Sequence, residues 1–151
     1  MDFESLESSG LIEFVGIDLK QASSNLKRAE KDVGTAHENL GIDIEWAFTI
    51  AYHAILRAGR ALMLAKGYRS KGRDQHRTVV TFVDIVLGAE FKNLVSGFDR
   101  MRRRRHDFIY DVGRPISKFE VEKSIANSRI LVEVIEKVIE DMNPQISLFQ
   151  K

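Results

Sequence analysis

The chain of 151 residues has the length of one domain, and its composition, 44% hydrophobic, 30% charged and 9% aromatic, provides for a sizeable core. Two Pro and ten Gly exclude a collagenous or linker-rich chain, and the absence of Cys excludes disulfides, Cys-based metal sites and thiol catalysis. The net charge of +1 conceals a basic middle, because residues 66–105 hold 11 Lys/Arg against 4 Asp/Glu while the remainder is acidic.

Helical periodicity dominates, and an all-α fold of five helices is expected for a single domain over residues 1–151. The first helix covers residues 17–39, with Leu19, Ala22, Leu26, Ala29 and Val33 inward, and Gly41 punctuates the turn after it. In the second, residues 43–66, alanines at 47, 51, 54, 58, 61 and 65 form a smooth stripe that permits close helix approach, with Phe48, Tyr52, Ile55 and Leu62 beside it. Gly67 is a C-cap candidate, and residues 67–73 read as a basic loop. The third helix spans residues 74–87, with Asp74 as N-cap and Val79, Phe82, Val83 and Val86 inward, and Gly88 separates it from the fourth.

The fourth helix, residues 90–111, carries Phe91, Leu94, Phe98, Met101 and Phe108 on one side, so the apolar rhythm continues through the arginine run. Gly113 and Pro115 close it. The fifth opens with a capping box, Ser117 and Glu120, and its stripe is Val121, Ile125, Ser128, Val132, Ile135, Ile139 and Met142. A second face holds Leu131, Val134 and Val138. Two buried faces on one helix of a thin bundle call for further cover, so a subunit interface is expected there or along the alanine stripe. Pro144 ends the helix, and residues 144–151 are expected to be loosely held.

The longest uncharged stretch, residues 46–56, falls short of the 18 or so apolar residues that span a bilayer. The acidic start, Met1-Asp2-Phe3-Glu4, lacks the basic region of a signal peptide, so a soluble cytoplasmic protein is expected. There is no Gly-x-Gly-x-x-Gly loop, Walker A sequence or His-Glu-x-x-His pair, and the histidines at 37, 53, 76 and 106 lack ligand spacing. Neither a metal nor a nucleotide-cofactor fold is expected. The pair Glu136 and Glu140 reads as solvated charge on a polar face, and His53 as a core or interface histidine.

Residues 99–111 differ. At about 100° per residue, Asp99, Arg103, His106 and Tyr110 share one sector with Arg102 beside it, whereas Arg105 projects into the apolar stripe. A guanidinium there needs a carboxylate, a phosphate or a wet cleft, and Asp84, Glu90 and Asp111 are candidate partners. The plainer reading is a solvated arginine face; the sharper one is a phosphate-handling site in which Arg binds the anion and His moves protons. Arg69, Lys71 and Arg73 either extend such a surface or form a soluble turn.

The run Ala-Tyr-His-Ala-Ile-Leu-Arg-Ala-Gly-Arg-Ala-Leu (51–62), the Ala-Lys-Gly-Tyr-Arg segment (65–69), His76 and the Arg-His-Asp-Phe-Ile-Tyr-Asp segment (105–111) together resemble the HEPN domain family over roughly residues 40–141. The resemblance implies an up-and-down bundle, a homodimer, and a late-helix motif of Arg, four to six residues and His. Many members are metal-independent ribonucleases, often toxins paired with a small nucleotidyltransferase antitoxin; others are non-catalytic nucleotide-binding or assembly modules. Two registers fit: Arg100 with His106, or Arg105 with His106 in the polar place and Tyr110 where the His belongs. An active site would use His106 as base, Arg105 or Arg100 on the phosphorane and Tyr110 on the phosphate or leaving oxygen, with Arg102 and Arg103 binding RNA and no cofactor.

Overall fold

The computed structural model describes residues 2–109 and 114–142. Six α-helices, rather than five, and one two-stranded sheet occur among the described residues. The extra helix is α1 (Phe3–Ser8), capped by the Asp2 carboxylate, which accepts from the Ser5 amide at 2.8 Å. At six residues it is too short to show a hydrophobic period. Its place is set instead by Leu6, which is buried, and by Phe3, whose ring packs on Phe82 and Tyr68.

After strand β1 (Ile12–Phe14), Asp18 caps α2 (Leu19–Glu38) by accepting from the Gln21 amide at 3.0 Å. Of the expected inward stripe Ala22, Leu26, Ala29 and Val33 are buried and Leu19 is half-buried, Ala36 extends it, and a 3-10 turn over Asn39–Gly41 leads out. Asp43 then caps α3 (Ile44–Lys66), in which 13 of 23 residues are buried. This helix is the hub of the fold and packs against α2, α4 (Gln75–Leu87), α5 (Lys92–Ile109) and α6 (Lys118–Met142). All six alanines of its stripe lie in the core, with the α2 alanines at 22, 29 and 36. Small residues on both helices let their backbones approach closely and make this the most extensive helix pair.

The second face of α6 also packs within the chain. Leu131 is fully buried, Val134 and Val138 pack on the core, and α2 lies against α6. The alanine stripe is buried within the chain, and the second face of α6 is covered in part, with Val134 and Val138 half-buried. Ser128 is buried as expected, and its hydroxyl donates to the Ala51 carbonyl at 3.2 Å, tying α6 to α3.

Gly67 ends α3 in the left-handed conformation, φ 93°, and its amide bonds the Leu64 carbonyl at 3.1 Å. A Cβ there would also run into the Phe14 ring. The segment after Gly67, expected as a loop, contains strand β2 (Tyr68–Ser70), paired antiparallel with β1 in the register Ile12↔Ser70, Glu13↔Arg69, Phe14↔Tyr68. Three-residue strands carry no readable alternation, and the partner lies more than 50 residues away in sequence. Asp74 precedes α4 but makes no side-chain cap: its backbone is left-handed, φ 54°, whereas a capping carboxylate needs an extended backbone. Asp is among the few non-glycine residues that tolerate this conformation. Gly88, φ 77°, breaks the chain after α4, and a 3-10 turn over Ala89–Phe91 leads into α5. No described helix is long and apolar enough to cross a membrane. The expectations for Asp111, Gly113 and residues 144–151 lie outside the described residues.

Candidate nucleic-acid interface

Residues 92–109 form one continuous helix through the arginine run, because Val95, Phe98 and Met101 remain buried beneath it. Its arginines have four different fates. Arg102 and Arg103 share Asp99 at 2.9 and 3.3 Å, as the i, i+3 and i, i+4 spacings dictate. Both line an open groove of about 730 Å³ between α4 and α5 with Arg77, Lys92 and Arg100, and the acidic side chains in its wall are Asp84 and Asp99. Lys92 sits 3.2 Å from Asp84, so the groove stays net positive after local pairing. Arg77 and Lys92 escape a reading confined to the arginine run because they reach the groove only through the packing of α4 on α5.

Arg104 is the locked arginine. Only 10% of its side chain is exposed. Its Nε donates to Glu120 at 2.9 Å, its Nη2 to the Arg114 carbonyl at 2.7 Å, and the guanidinium lies 5.2 Å from the Phe108 ring centre. The expected capping box is thereby halved. The Glu120 amide donates to the Ser117 hydroxyl at 3.1 Å, but the Glu120 carboxylate turns to Arg104 instead of reaching back. A smaller cleft of about 200 Å³ between α5 and α6 is lined by Arg100, Arg104, Lys123 and Asn127 among others. Gly97 brings the two helices together there: a Cβ would collide with the Asn127 side chain, which donates to the Leu94 carbonyl at 3.2 Å.

Arg105 faces α3, as its helical phase requires, and among the described residues its partner is an aromatic face rather than Asp84 or Glu90. Its guanidinium carbon lies 5.5 Å from the Tyr52 ring centre. Asp84 is taken by Lys92, and no ion pair among the described residues includes Arg105. The Tyr52 hydroxyl is 2.9 Å from His76 Nδ1, and burial pushes the phenol up to about 12 against the pull of Arg105. Burial first, then nearby arginines including Arg60 and Arg105, holds the His53 and His76 imidazoles below their ordinary value. Tyr52 and His76 stand 24 residues apart, so no helical phase connects them.

His106 is exposed on α5, adjacent in sequence to Arg105. Arg100 and His106 project about 120° apart on this unbroken helix, so the first register does not bring them to one face. Tyr110 lies outside the described residues. Arg69 and Lys71 both pair with Glu13 across the β1–β2 sheet, Lys71 at 3.7 Å, and Arg69 opens onto a separate pocket with Arg60 and Gln75. Arg73 is exposed in the turn before α4.

Comparison with known families returns the HEPN domain, matched over residues 19–138. No curated protein and no solved structure matches. The matched stretch runs from the first residue of α2 into the last turns of α6 and takes in the helical core, the arginine helix and the Tyr52–His76 contact. On that match, and on the helical architecture that carries it, the chain belongs to the HEPN domain family.

Proposed function

We propose that the domain binds RNA along the α4/α5 groove and cleaves it, without a metal, at the C-terminal end of α5. The observation that carries this reading is the convergence of Arg77, Lys92, Arg100, Arg102 and Arg103 on one open groove of about 730 Å³ between α4 and α5. In the cleavage step, His106 takes the proton of a ribose 2′-hydroxyl and the 2′-oxygen attacks the adjacent phosphorus. Arg105 offsets the phosphorane charge, and the 5′-oxygen leaves with a proton, giving a 2′,3′-cyclic phosphate and a 5′-hydroxyl end. Tyr110 is assigned the phosphate or the leaving oxygen. DNA has no 2′-hydroxyl and is refused. Homodimerisation and a small nucleotidyltransferase antitoxin are the partners this reading includes.

The test is incubation of the purified chain with mixed RNA in excess EDTA, with determination of the product ends, alongside His106→Ala. Cyclic phosphate ends that vanish in the variant support the ribonuclease. Intact RNA bound with salt-sensitive affinity supports a non-catalytic binding module instead, a reading favoured by the seating of Arg105 on Tyr52.

A further inference from the structure

One pocket lies away from the arginine helix, where the first turns of α2, the C-terminal half of α3, strand β2 and the start of α4 meet. The end of α5, by contrast, packs Phe108 on Phe48 near the start of α3. The pocket has a volume of about 270 Å³, and no carboxylate stands among its lining residues. Arg60 reaches it from α3, is exposed, and is in no ion pair among the described residues. Glu13 pairs with Arg69, which leaves Arg60 as the one uncompensated charge in the wall. Asp18 is near, since its amide bonds the Leu64 carbonyl, but its carboxylate is engaged as the cap on the Gln21 amide. The side-chain carboxamides of Gln21 and Asn25 face the pocket from α2 and make no hydrogen bond among the described residues. Gln75, the first residue of α4, is oriented by the Gly72 carbonyl at 3.1 Å and the Ser70 hydroxyl at 3.4 Å. Helix α4 starts without a side-chain cap, so the positive end of its dipole adds to the field of Arg60. Buried Met63 and half-buried Leu64 supply the apolar part of the wall.

We infer that this pocket binds an acylated amino-acid end, that is, a carboxylate with an amide next to it and an aliphatic side chain. One uncompensated guanidinium matches a monoanion, and its planar fork suits the two oxygens of a carboxylate. The Gln21 and Asn25 carboxamides each present a donor and an acceptor side by side, the complement of a peptide group. Met63 and Leu64 seat the aliphatic side chain, for which a sugar-phosphate chain has no counterpart. With no carboxylate in the wall, the ammonium of a free amino acid would be desolvated without a partner, so the nitrogen must be acylated. That chemistry has two sources, the C-terminus of a peptide and a free N-acyl amino acid. The site does not depend on RNA lying in the α4/α5 groove.

The test is calorimetric titration of the full chain with N-acetyl-leucine, N-acetyl-leucinamide and free leucine. Saturable binding of N-acetyl-leucine at one site is expected, with the amide and free leucine each bound at least about tenfold more weakly. Arg60→Gln, which changes an exposed side chain and leaves the core intact, weakens N-acetyl-leucine binding at least about tenfold, and Asn25→Ala weakens it about threefold or more. Arg129→Gln, at an exposed position of α6, leaves it unchanged. A peptide ending in leucine that binds more tightly than N-acetyl-leucine identifies a partner's C-terminus as the source; equal affinity identifies the free acylated amino acid. An absence of binding, equal losses in the two arginine variants, or displacement of N-acetyl-leucine by an equal concentration of inorganic phosphate overturns the inference. RNA binding that persists without N-acetyl-leucine binding defeats this inference alone, and the converse result defeats the groove alone.

Discussion

Removing the Arg104 side chain tests whether the arginine run is a uniform solvated face or a set of separate structural and binding positions. The guanidinium is 10% exposed, bonds Glu120 and the Arg114 carbonyl, and covers Phe108, so it fastens the end of α5 to the start of α6. Each charge-assisted hydrogen bond contributes about 1.5–3 kcal/mol, and the ring contact adds about 0.5–1 kcal/mol. Glu120 retains access to water and to Arg114 at 3.7 Å, which discounts the loss. The expected cost of Arg104→Ala is then about 2–3 kcal/mol, or a fall in Tm of about 5–10 °C for a domain of this size. Arg103→Ala, which breaks an exposed pair with Asp99, costs at most about 1 kcal/mol. Urea and thermal unfolding of both variants give the comparison, and a double-mutant cycle with Glu120→Gln isolates the pair at about 1–2 kcal/mol. Arg104→Lys restores only part of the loss, because an ammonium lacks the planar fork that serves the carboxylate and the carbonyl together. Equal effects at 103 and 104, or a coupling energy near zero, would refute the reasoning.

Two glycines make an opposed pair. Gly67→Ala imposes a left-handed backbone on alanine and drives its Cβ into Phe14, so a loss of at least about 1 kcal/mol is expected by denaturant unfolding. Gly34→Ala places a methyl in open space on exposed α2 and is expected to stabilise by about 0.5–1 kcal/mol. His53 and His76 bind protons less readily folded than at their ordinary value of 6.5. The unfolded chain therefore holds more protons just below pH 6.5, and stability falls with decreasing pH through that value toward the folded-state values. The slope flattens in His53→Gln/His76→Gln, and an unchanged slope in that variant counts against the cluster. For RNA binding, the groove's charge after local pairing predicts a log–log salt slope of about −2 to −3, and Arg77→Gln reduces its magnitude by about 0.7; a salt-independent affinity is incompatible with a phosphate-lined interface.

Much of the scaffold was legible in the chain itself. The alanine stripe, Gly67 and Gly88 are local signals, each enforced within a turn or two of helix, and the long helices form where they stand, whereas the caps at Asp18 and Asp43 emerged only in the structure. The continuity of α5 through its arginines was readable for the same reason, since Phe98 and Met101 keep the apolar period beneath the charges. Helix α1 and the β1–β2 pair were not readable, because their stability comes from distant partners rather than from their own few residues.

For the site, the sequence by itself determined its charge and helical phase: a basic helix, Arg102 and Arg103 around Asp99, and Arg105 turned inward. Only the tertiary structure decided what each inward or lateral side chain meets. It gave Arg104 to Glu120, Arg105 to the face of Tyr52, Tyr52 to His76, and Arg77 and Lys92 to the groove. Helical periodicity orders residues along one axis, whereas these contacts depend on how four helices cross α3 and one another.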